Sequence, residues 1–281
     1  MNHTIRLGIS TCPNDTFTFH AILNRLVDWR GINFQIELLD IQQLNERLFA
    51  DQFDVSKCSF HAALLRSDST IVLPSGSALG FGVGPLLLSA DPGALPPRSI
   101  DQVTLCPGEH TTASLLFRLF YPQTSAMRQV VFSEIMPGLR QRTADYGVCI
   151  HEGRFTWQDQ GLGLVEDLGT RWERETHCPL PLGGLVGMKS VPREVLRTVQ
   201  TVVRESLEYS LADPDRALPT MRQYAQEFND DVLMQHVELY VNEWTIDLGA
   251  VGADALHHLN EKAKGADVIP RDAAGVEILP L

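Results

Sequence analysis

Short apolar runs alternate with amphipathic segments along the first 65 residues, an alternation typical of an α/β protein. The apolar runs predict strands at 5–9, 33–39 and 53–58. Between them, apolar side chains recur at the spacing of one helix face and predict helices at 16–26, 41–50 and 60–65. The chain therefore begins with a repeated strand–helix unit, which is the unit that builds a parallel sheet.

The same alternation returns after residue 100 and then gives way to a helical region. Apolar runs predict strands at 102–106, 129–132 and 146–150, with helices at 111–120 and 134–142. A helix is expected to begin near Pro192, because proline is favoured at the first helical position. Further helices are predicted at 232–241 and 253–262.

Two segments rich in proline and glycine, 73–85 and 178–185, separate these blocks. We interpret them as two crossovers, by which the chain leaves one lobe, builds a second and returns. The predicted fold class is α/β, with lobe one at 1–90 plus 186–281 and lobe two at 91–185. Ligands bind at the carboxyl ends of the strands in open α/β sheets and at interfaces between domains. The cleft between the lobes is therefore the expected binding site.

Polar side chains follow several predicted strands at the ends that face this cleft. They are Ser10, Thr11, Asn14, Asp15, Lys57, Cys58, Ser59, Thr111 and Thr112. Taken singly, a hydroxyl or amide side chain before a helix is an ordinary N-cap. Taken together, these residues predict several helix amino termini around one cleft, an arrangement that suits a carboxylate or phosphate. Thr111-Thr112-Ala113 is the strongest candidate, because two hydroxyls and the adjacent amides can close on one anion.

Lys57 ends an apolar strand, and two interpretations of its charge remain open. Its ammonium group is placed to pair with an anionic substrate in the cleft. Equally, it can pair with Asp54 or with another carboxylate of lobe one, because a buried charge needs a partner.

His151 and Glu152 come directly after the apolar run at 146–150. The unperturbed pKa of a histidine is about 6.5, so its ring can take and return a proton at neutral pH. His151 is therefore a candidate general base in the cleft. The alternative is a structural histidine whose ring binds a backbone carbonyl. Glu152 is expected to point the other way and to pair with Arg154.

Charge and hydropathy narrow the possible functions. The net charge is -12, so nucleic acid is not an expected partner. No apolar stretch reaches the roughly 20 residues of a membrane span. The first residues, MNHTIRLGIS, lack a basic segment followed by an apolar one, which is the pattern of a secretory signal. A cytoplasmic protein is predicted.

The sequence contains no established motif for a metal or a nucleotide. The 5 cysteines form no CxxC pair, and HEGRF at 151–155 departs from HExxH. His177-Cys178 is a possible ligand pair without partners nearby in the sequence, so no metal is predicted. Neither GxGxxG after a strand, nor a P-loop, nor GxSxG occurs.

Five segments, taken together and in this order, resemble those of a known family. They are ISTCPNDTFTFHAI (9–22), DVSKCSFHAAL (54–64), LPSGSALGFGVGPLLL (73–88), GEHTTASLL (108–116) and GVCIHEGRFTW (147–157). The segments are similar to those of the 1,4-dihydroxy-6-naphthoate synthases, which act in the futalosine route to menaquinone. The resemblance also includes LPLGGL at 180–185, and the helices beyond carry much less of it.

The resemblance implies a type II periplasmic-binding-protein-like fold, in agreement with the two crossovers. It implies a carbon–carbon lyase that converts cyclic dehypoxanthine futalosine to 1,4-dihydroxy-6-naphthoate and releases a dihydroxyacetone fragment. The catalytic base of the family falls on His151, and its ligand-contacting segments fall on Lys57-Cys58-Ser59 and on Thr112-Ala113. Asn14 is placed in the cleft by its position alone. Because aromatisation supplies the driving force, no metal or redox cofactor is expected.

Other functions stay open at this level. A small-anion binding protein shares the same fold, and so does the sibling enzyme that dehydrates a chorismate derivative. A ligand-sensing regulatory domain is a third alternative, although the sequence has no basic DNA-binding module. A homodimer is the default expectation for an enzyme of this size.

Overall fold

The computed structural model describes residues 3–151, 153–225 and 229–280. In chain order its strands are β1 (His3–Ser10), β2 (Ile32–Leu39), β3 (Val55–Ser59), β4 (Thr70–Val72), β5 (Ala78–Gly80), β6 (Leu86–Ser89), β7 (Val103–Cys106), β8 (Ala126–Gln129), β9 (Tyr146–Cys149), β10 (Gly163–Asp167), β11 (Leu180–Met188) and β12 (Glu277–Ile278). Its helices are α1 (Pro13–Thr18), α2 (His20–Leu23), α3 (Ile41–Phe49), α4 (Phe60–Leu65), α5 (Thr112–Phe120), α6 (Ile135–Arg140), α7 (Gly153–Thr156), α8 (Leu168–Thr176), α9 (Arg193–Ala212), α10 (Leu218–Tyr224), α11 (Asp230–Tyr240), α12 (Glu243–Ile246) and α13 (Gly249–Gly265).

The first sheet has the strand order β12-β4-β11-β3-β1-β2, and β5 also pairs with β11. β1 runs parallel to both β2 and β3, so the carboxyl ends of these three strands meet at one edge. β11 lies antiparallel between β3 and β4, and it therefore joins the early part of the chain to the part that returns from the second lobe.

The second sheet has the strand order β10-β6-β9-β7-β8. β7 is parallel to β8 and β9, whereas β6 is antiparallel to β9 and β10. The carboxyl ends of β7 and β9 thus open toward one side of this sheet. Polar residues that follow these strands are gathered at the same edge, as the sequence predicted.

Two strands lie in a different sheet from the one that the predicted lobe boundaries imply. Leu86–Ser89 belongs to the second sheet, although 1–90 was assigned to lobe one, and Leu180–Met188 belongs to the first sheet, although 91–185 was assigned to lobe two. The strand Leu180–Met188 was not predicted because it is rich in proline and glycine, which are depleted in strands. Pro181 is accommodated where the register of β11 against β5 shifts. Following sheet membership, we propose a second lobe from about 86 to about 179.

Local signals explain most of the helices. Asp40 caps α3 and forms a capping box with Gln43, and Leu44 and Leu48 of that helix are buried. The long α9 buries its apolar stripe against the first sheet, as the helical spacing of its valines predicts. Among the described residues, no helix is both long and apolar enough to cross a bilayer.

Two predicted elements differ from the structure. The helix predicted at 16–26 is two short helices, because Phe19 at φ -95° and ψ 5° interrupts it, and the first of them begins at Pro13. The strand predicted at 129–132 lies at Ala126–Gln129 instead, and Phe132–Glu134 forms a 3-10 turn. The apolar residues Val130, Val131 and Phe132 all lie beyond the strand, and Phe132 begins the 3-10 turn.

The crossover that enters the second lobe is held at one point by close backbone packing. A Cβ atom on Gly84 would lie 2.2 Å from the Cα atom of Gly169, at the start of α8. Arg154 donates to the Gly84 carbonyl and also pairs with Asp167, with 2.8 Å between Nη2 and Oδ2. The short α7 after His151 is therefore attached both to the crossover and to the N-cap of α8.

Candidate functional site

A cavity lies between the two sheets, at the carboxyl ends of β1, β3 and β9 and at the amino terminus of α5. About 670 Å3 of space free of protein atoms lies within it, including part of its open mouth. Its position agrees with the general rule for open α/β sheets.

A buried ion pair forms the floor of the cavity on the side of the first sheet. Lys57 Nζ lies 2.6 Å from Asp15 Oδ1 and 2.7 Å from the carbonyl oxygen of Gly76. Asp15 also accepts hydrogen bonds from Ser10 Oγ at 2.5 Å and from Asn14 Nδ2 at 3.1 Å. Because both charges are buried, this full set of partners offsets their desolvation. Of the two interpretations of Lys57, pairing within lobe one is the one that the structure has, with Asp15 as the partner.

Asp54, the other carboxylate considered for Lys57, has a different partner. It pairs with Arg6, with 2.8 Å between Oδ1 and Nη2, and both side chains are partly exposed. Each of these two ion pairs joins an aspartate to a basic side chain, and they differ strongly in burial.

His236 on α11 extends the buried network to the helical C-terminal region. Its Nε2 lies 3.1 Å from Asn14 Oδ1, and the Asn14 amide nitrogen faces Asp15. The Asn14 oxygen must therefore accept, so His236 carries its proton on Nε2. Burial, with a smaller contribution from the charge of His151, holds the pKa of His236 well below its usual value. Among the described residues, His236 Nδ1 has no hydrogen-bond partner.

His151 stands on the opposite wall, directly beyond β9. Its backbone φ is 55°, a left-handed conformation that ends the strand and turns the chain into α7. The ring is half-buried, and its Nδ1 lies 3.4 Å from the Sγ atom of Cys12, which belongs to the other lobe. Phe132 packs edge-on against the ring, with 4.8 Å between centroids. Cys12 and Phe132 thus hold the ring from two sides and leave it at the cavity wall.

The amino terminus of α5 also faces the cavity, but its hydroxyl groups are already engaged. Thr111 Oγ1 donates to the Gly108 carbonyl at 2.8 Å and caps the helix by accepting from the Ser114 amide. Thr112 Oγ1 donates to the Leu182 carbonyl at 2.6 Å. Both hydroxyl protons are thus donated within the protein, and contact of Thr111 and Thr112 with an anion stays a prediction. The amides of the first helical turn, including that of Ala113, are the donors that lack a partner within the helix.

Cys58 lies outside the cavity, unlike its two neighbours. Side chains alternate along β3, so Lys57 and Ser59 line the cavity while Cys58 is buried in the core. Burial raises the pKa of Cys58 to about 12. Ser59 Oγ accepts a hydrogen bond from Asn45 Nδ2 at 3.1 Å.

The cavity brings together most of the residues that the sequence indicated and adds several that it did not. The predicted residues that line it are Asn14, Lys57, Ser59, Thr111, Thr112, Ala113 and His151. Cys12, His236 and Tyr240 also line the cavity, although no role was predicted for them. Two of these come from α11, where their four-residue spacing was the only local signal. Glu152, with its predicted pairing to Arg154, lies outside the described residues.

Two sheets with a cavity between them are the architecture of periplasmic-binding-protein-like folds, and solved structures of that class superpose on this chain. A protein of Archaeoglobus fulgidus superposes with a TM-score of 0.88 at 29% identity, over 95% of this chain and 99% of that one. The aliphatic sulphonate binding protein SsuA from Escherichia coli superposes with a TM-score of 0.64 at 9% identity, over 100% of this chain and 95% of that one. The second likeness shows the fold alone. The fold class predicted from the sequence is confirmed.

Sequence comparison gives the family. The model of the menaquinone biosynthesis family matches residues 5–265. A 1,4-dihydroxy-6-naphthoate synthase of Thermus thermophilus is 37% identical over 92% of this chain and 94% of its own length. One of Streptomyces coelicolor is 36% identical over 95% of both chains. The chain belongs to the menaquinone biosynthesis family, and the resemblance drawn from its motifs is confirmed.

Proposed function

We propose that the protein is a 1,4-dihydroxy-6-naphthoate synthase with His151 as its general base. Its substrate is cyclic dehypoxanthine futalosine, and its products are 1,4-dihydroxy-6-naphthoate and dihydroxyacetone, so it is a carbon–carbon lyase. Two synthases of that name, each similar to more than 90% of this chain, support the activity. The chemistry of the cavity supports the choice of the base.

The contrast between the two cavity histidines is the observation that carries the proposal. His236 is buried, its Nε2 proton is committed to Asn14, and its pKa lies well below the usual value because of desolvation. It remains neutral and is not free to exchange protons with a ligand. His151 is half-buried at the cavity wall, and the Cys12 sulfur lies 3.4 Å from its Nδ1 and 3.6 Å from its Nε2. Of the two, His151 has the exposure that a proton acceptor needs.

The remaining polar groups suit binding and positioning. The charge of Lys57 is compensated by Asp15, so the cavity floor adds little net positive charge for an anionic substrate. A carboxylate of the substrate is better served by the amides at the start of α5, where the helix dipole is positive. The apolar side chains Ile41, Val83 and Leu182 line the rest of the cavity and suit the ring system that becomes aromatic.

The proposed reaction needs a base, an enclosed site and a fixed substrate pose. His151 removes a proton from a substrate carbon, and release of the three-carbon fragment follows as the ring becomes aromatic. Enclosure between the two lobes keeps water from the reacting carbon and limits the motion of the substrate. Aromatisation supplies the driving force, so the proposal includes no redox cofactor.

A product assay with matched variants tests this proposal. Purified protein is incubated with cyclic dehypoxanthine futalosine, and the products are identified by mass. The wild type is expected to release the naphthoate, and His151→Ala is expected to lose about 100-fold or more in kcat. His257→Ala is the control, since His257 lies exposed on α13 outside the cavity, and it should keep wild-type turnover. Near-normal turnover by His151→Ala would contradict the proposal that His151 is the general base.

Two alternatives are separate outcomes of the same assay. A small-anion binding protein would bind the compound without turnover. We consider this alternative because the chain shares its fold with the binding protein SsuA. The sibling enzyme would instead dehydrate a chorismate derivative and leave the futalosine compound unchanged. We further propose that the enzyme works in the cytoplasm, as a biosynthetic step on soluble intermediates requires. The homodimer remains a prediction that light scattering can test.

A further inference from the structure

Three side chains of different chemistry meet at the surface where the chain returns to the first lobe. Cys178 lies just before β11, and Asp254 and His258 lie one turn apart on α13. Cys178 Sγ is 3.6 Å from Asp254 Oδ2, and His258 Nε2 is 3.8 Å from the same oxygen. The three donor atoms all lie within 4.8 Å of one another.

Two of these separations are close to the edges of a tetrahedral metal site. Zn²⁺ binds thiolate sulfur at about 2.3 Å and carboxylate oxygen or imidazole nitrogen at about 2.0–2.2 Å. Tetrahedral angles then put the sulfur about 3.6 Å from the oxygen, and the oxygen about 3.4 Å from the nitrogen. The first separation already has this value, and the second needs a shift of a few tenths of an ångström in an exposed imidazole.

Contacts outside the cluster hold its two halves in place. The Cys178 amide donates to Thr176 Oγ1 at 3.2 Å, which fixes the short loop that carries the thiol. Glu175, in the last turn of α8, pairs with Lys262 of α13 at 2.9 Å. Lys262 lies one turn beyond His258, so this ion pair keeps α8 and α13 aligned beside the cluster.

We propose that Cys178, Asp254 and His258 form a binding site for a divalent cation of the zinc class. The thiol of Cys178 loses its proton to solvent on binding, and the thiolate, one carboxylate oxygen and Nε2 of the imidazole become ligands. The Asp254 and His258 side chains are 62% and 42% exposed, so water can complete the coordination. The cation would fasten the return crossover to α13, away from the cavity.

The sequence predicted no metal because the partners of Cys178 are far along the chain. Asp254 is separated from Cys178 by 76 positions, so no ligand spacing was visible. His177, the neighbour that suggested a ligand pair, is not a member of the cluster. A left-handed backbone at His177, with φ 58°, ends α8 and turns the chain toward Cys178.

The experiment is a titration of the reduced, chelator-treated full-length protein with Co²⁺ and then with Zn²⁺. The wild type is expected to show one equivalent of near-ultraviolet thiolate-to-cobalt absorption, which Zn²⁺ displaces. Cys178→Ala should abolish this absorption, and His258→Ala should weaken cation binding by about 10- to 100-fold. Zn²⁺ should raise the Tm of the wild type and leave that of Cys178→Ala unchanged.

Two controls separate this site from other ways of binding a cation. His257→Ala removes the adjacent imidazole, which is not part of the cluster, and should bind Co²⁺ as the wild type does. Cys12→Ser removes the thiol beside His151 and should also keep the absorption. Absorption lost in Cys12→Ser and kept in Cys178→Ala would overturn the proposal, as would its absence from the wild type at stoichiometric Co²⁺. None of these readouts depends on the proposed enzymatic activity.

Discussion

The two walls of the cavity differ in the burial and the pairing of their polar side chains. The wall of the first sheet is a closed network in which Asp15 joins Lys57, Ser10 and Asn14, and its members are buried. The wall of the second sheet presents His151, half-buried at the end of a strand, with a thiol and an aromatic edge as neighbours. The first wall is a charge-balanced framework, whereas the second carries a group that can change its protonation.

Because of this difference, we expect the first wall to contribute mainly to folding stability and the second wall mainly to the reaction. Breaking the closed network leaves a buried group without a partner, which costs free energy of folding. Changing a partly exposed side chain costs little stability and acts on the ligand instead. Variants of the first wall should therefore be read out by unfolding, and variants of the second wall by turnover.

The largest effect is expected from Asp15→Ala, which leaves the Lys57 charge buried and unpaired. The free energy of unfolding should fall by about 3–5 kcal/mol, measured by urea denaturation. Asp54→Ala is the matched control, because it removes a carboxylate from a partly exposed pair with Arg6 and should cost about 1 kcal/mol or less. Equal losses in the two variants would contradict the account of the buried network. Asp15→Asn combined with Lys57→Met should recover part of the loss.

The second prediction concerns the pH dependence of stability. Desolvation holds the pKa of His236 well below its usual value and lowers that of His61 to about 4. The unfolded chain takes up these protons near pH 6.5 and the folded protein does not, so stability is full above pH 6.5 and falls below it. Each histidine should remove about 1.4 kcal/mol of unfolding free energy between pH 7.5 and 5.5.

Urea denaturation at the two pH values measures this slope. His236→Phe should reduce the loss between the two pH values by about 1.4 kcal/mol, because it removes one of the histidines whose pKa burial lowers. His257→Ala, which changes an exposed histidine, should leave the slope unchanged. A slope that His236→Phe does not alter would mean that other groups cause it.

The smallest effect is expected where the two walls touch. Cys12→Ala removes the sulfur that lies 3.4 Å from His151 Nδ1, and the ring loses one of its two supports. A neutral hydrogen bond contributes about 0.5–1.5 kcal/mol, so kcat should fall by up to about tenfold, with the Tm nearly unchanged. Steady-state kinetics with the proposed substrate, beside a thermal unfolding curve, tests both parts. A loss as large as that of His151→Ala would instead make Cys12 a direct participant in the reaction.

The sequence predicted the second wall better than the first. His151 was identifiable because one local pattern, an apolar strand followed by a histidine, already determines its place at the edge of the sheet. The network around Asp15 was not, because it joins α1, β3 and α11, and the partner of Asn14 lies 222 positions away. Periodicity locates elements along the chain but does not say which of them will pack together.

The same limit applies to the start of α5 and to the lobe boundary. Thr111 and Thr112 were correctly placed at a helix start, yet the carbonyls that occupy their hydroxyls come from Gly108 and Leu182. Leu182 belongs to β11, whose proline and glycine content had indicated a loop. The residues of β11 do not favour a strand, and its hydrogen bonds to neighbouring strands stabilise it instead. Such a strand cannot be recognised from its own residues.

The attachment of Arg154 has a consequence for how the protein responds to a ligand. Arg154 binds both the Gly84 carbonyl and Asp167, so the short α7 that follows His151 is attached to the first crossover. Any rotation of one lobe against the other would therefore change the separation of His151 and Cys12 across the cavity. The distance between Cys12 Sγ and His151 Nδ1, 3.4 Å here, therefore reports how closely the two lobes approach each other.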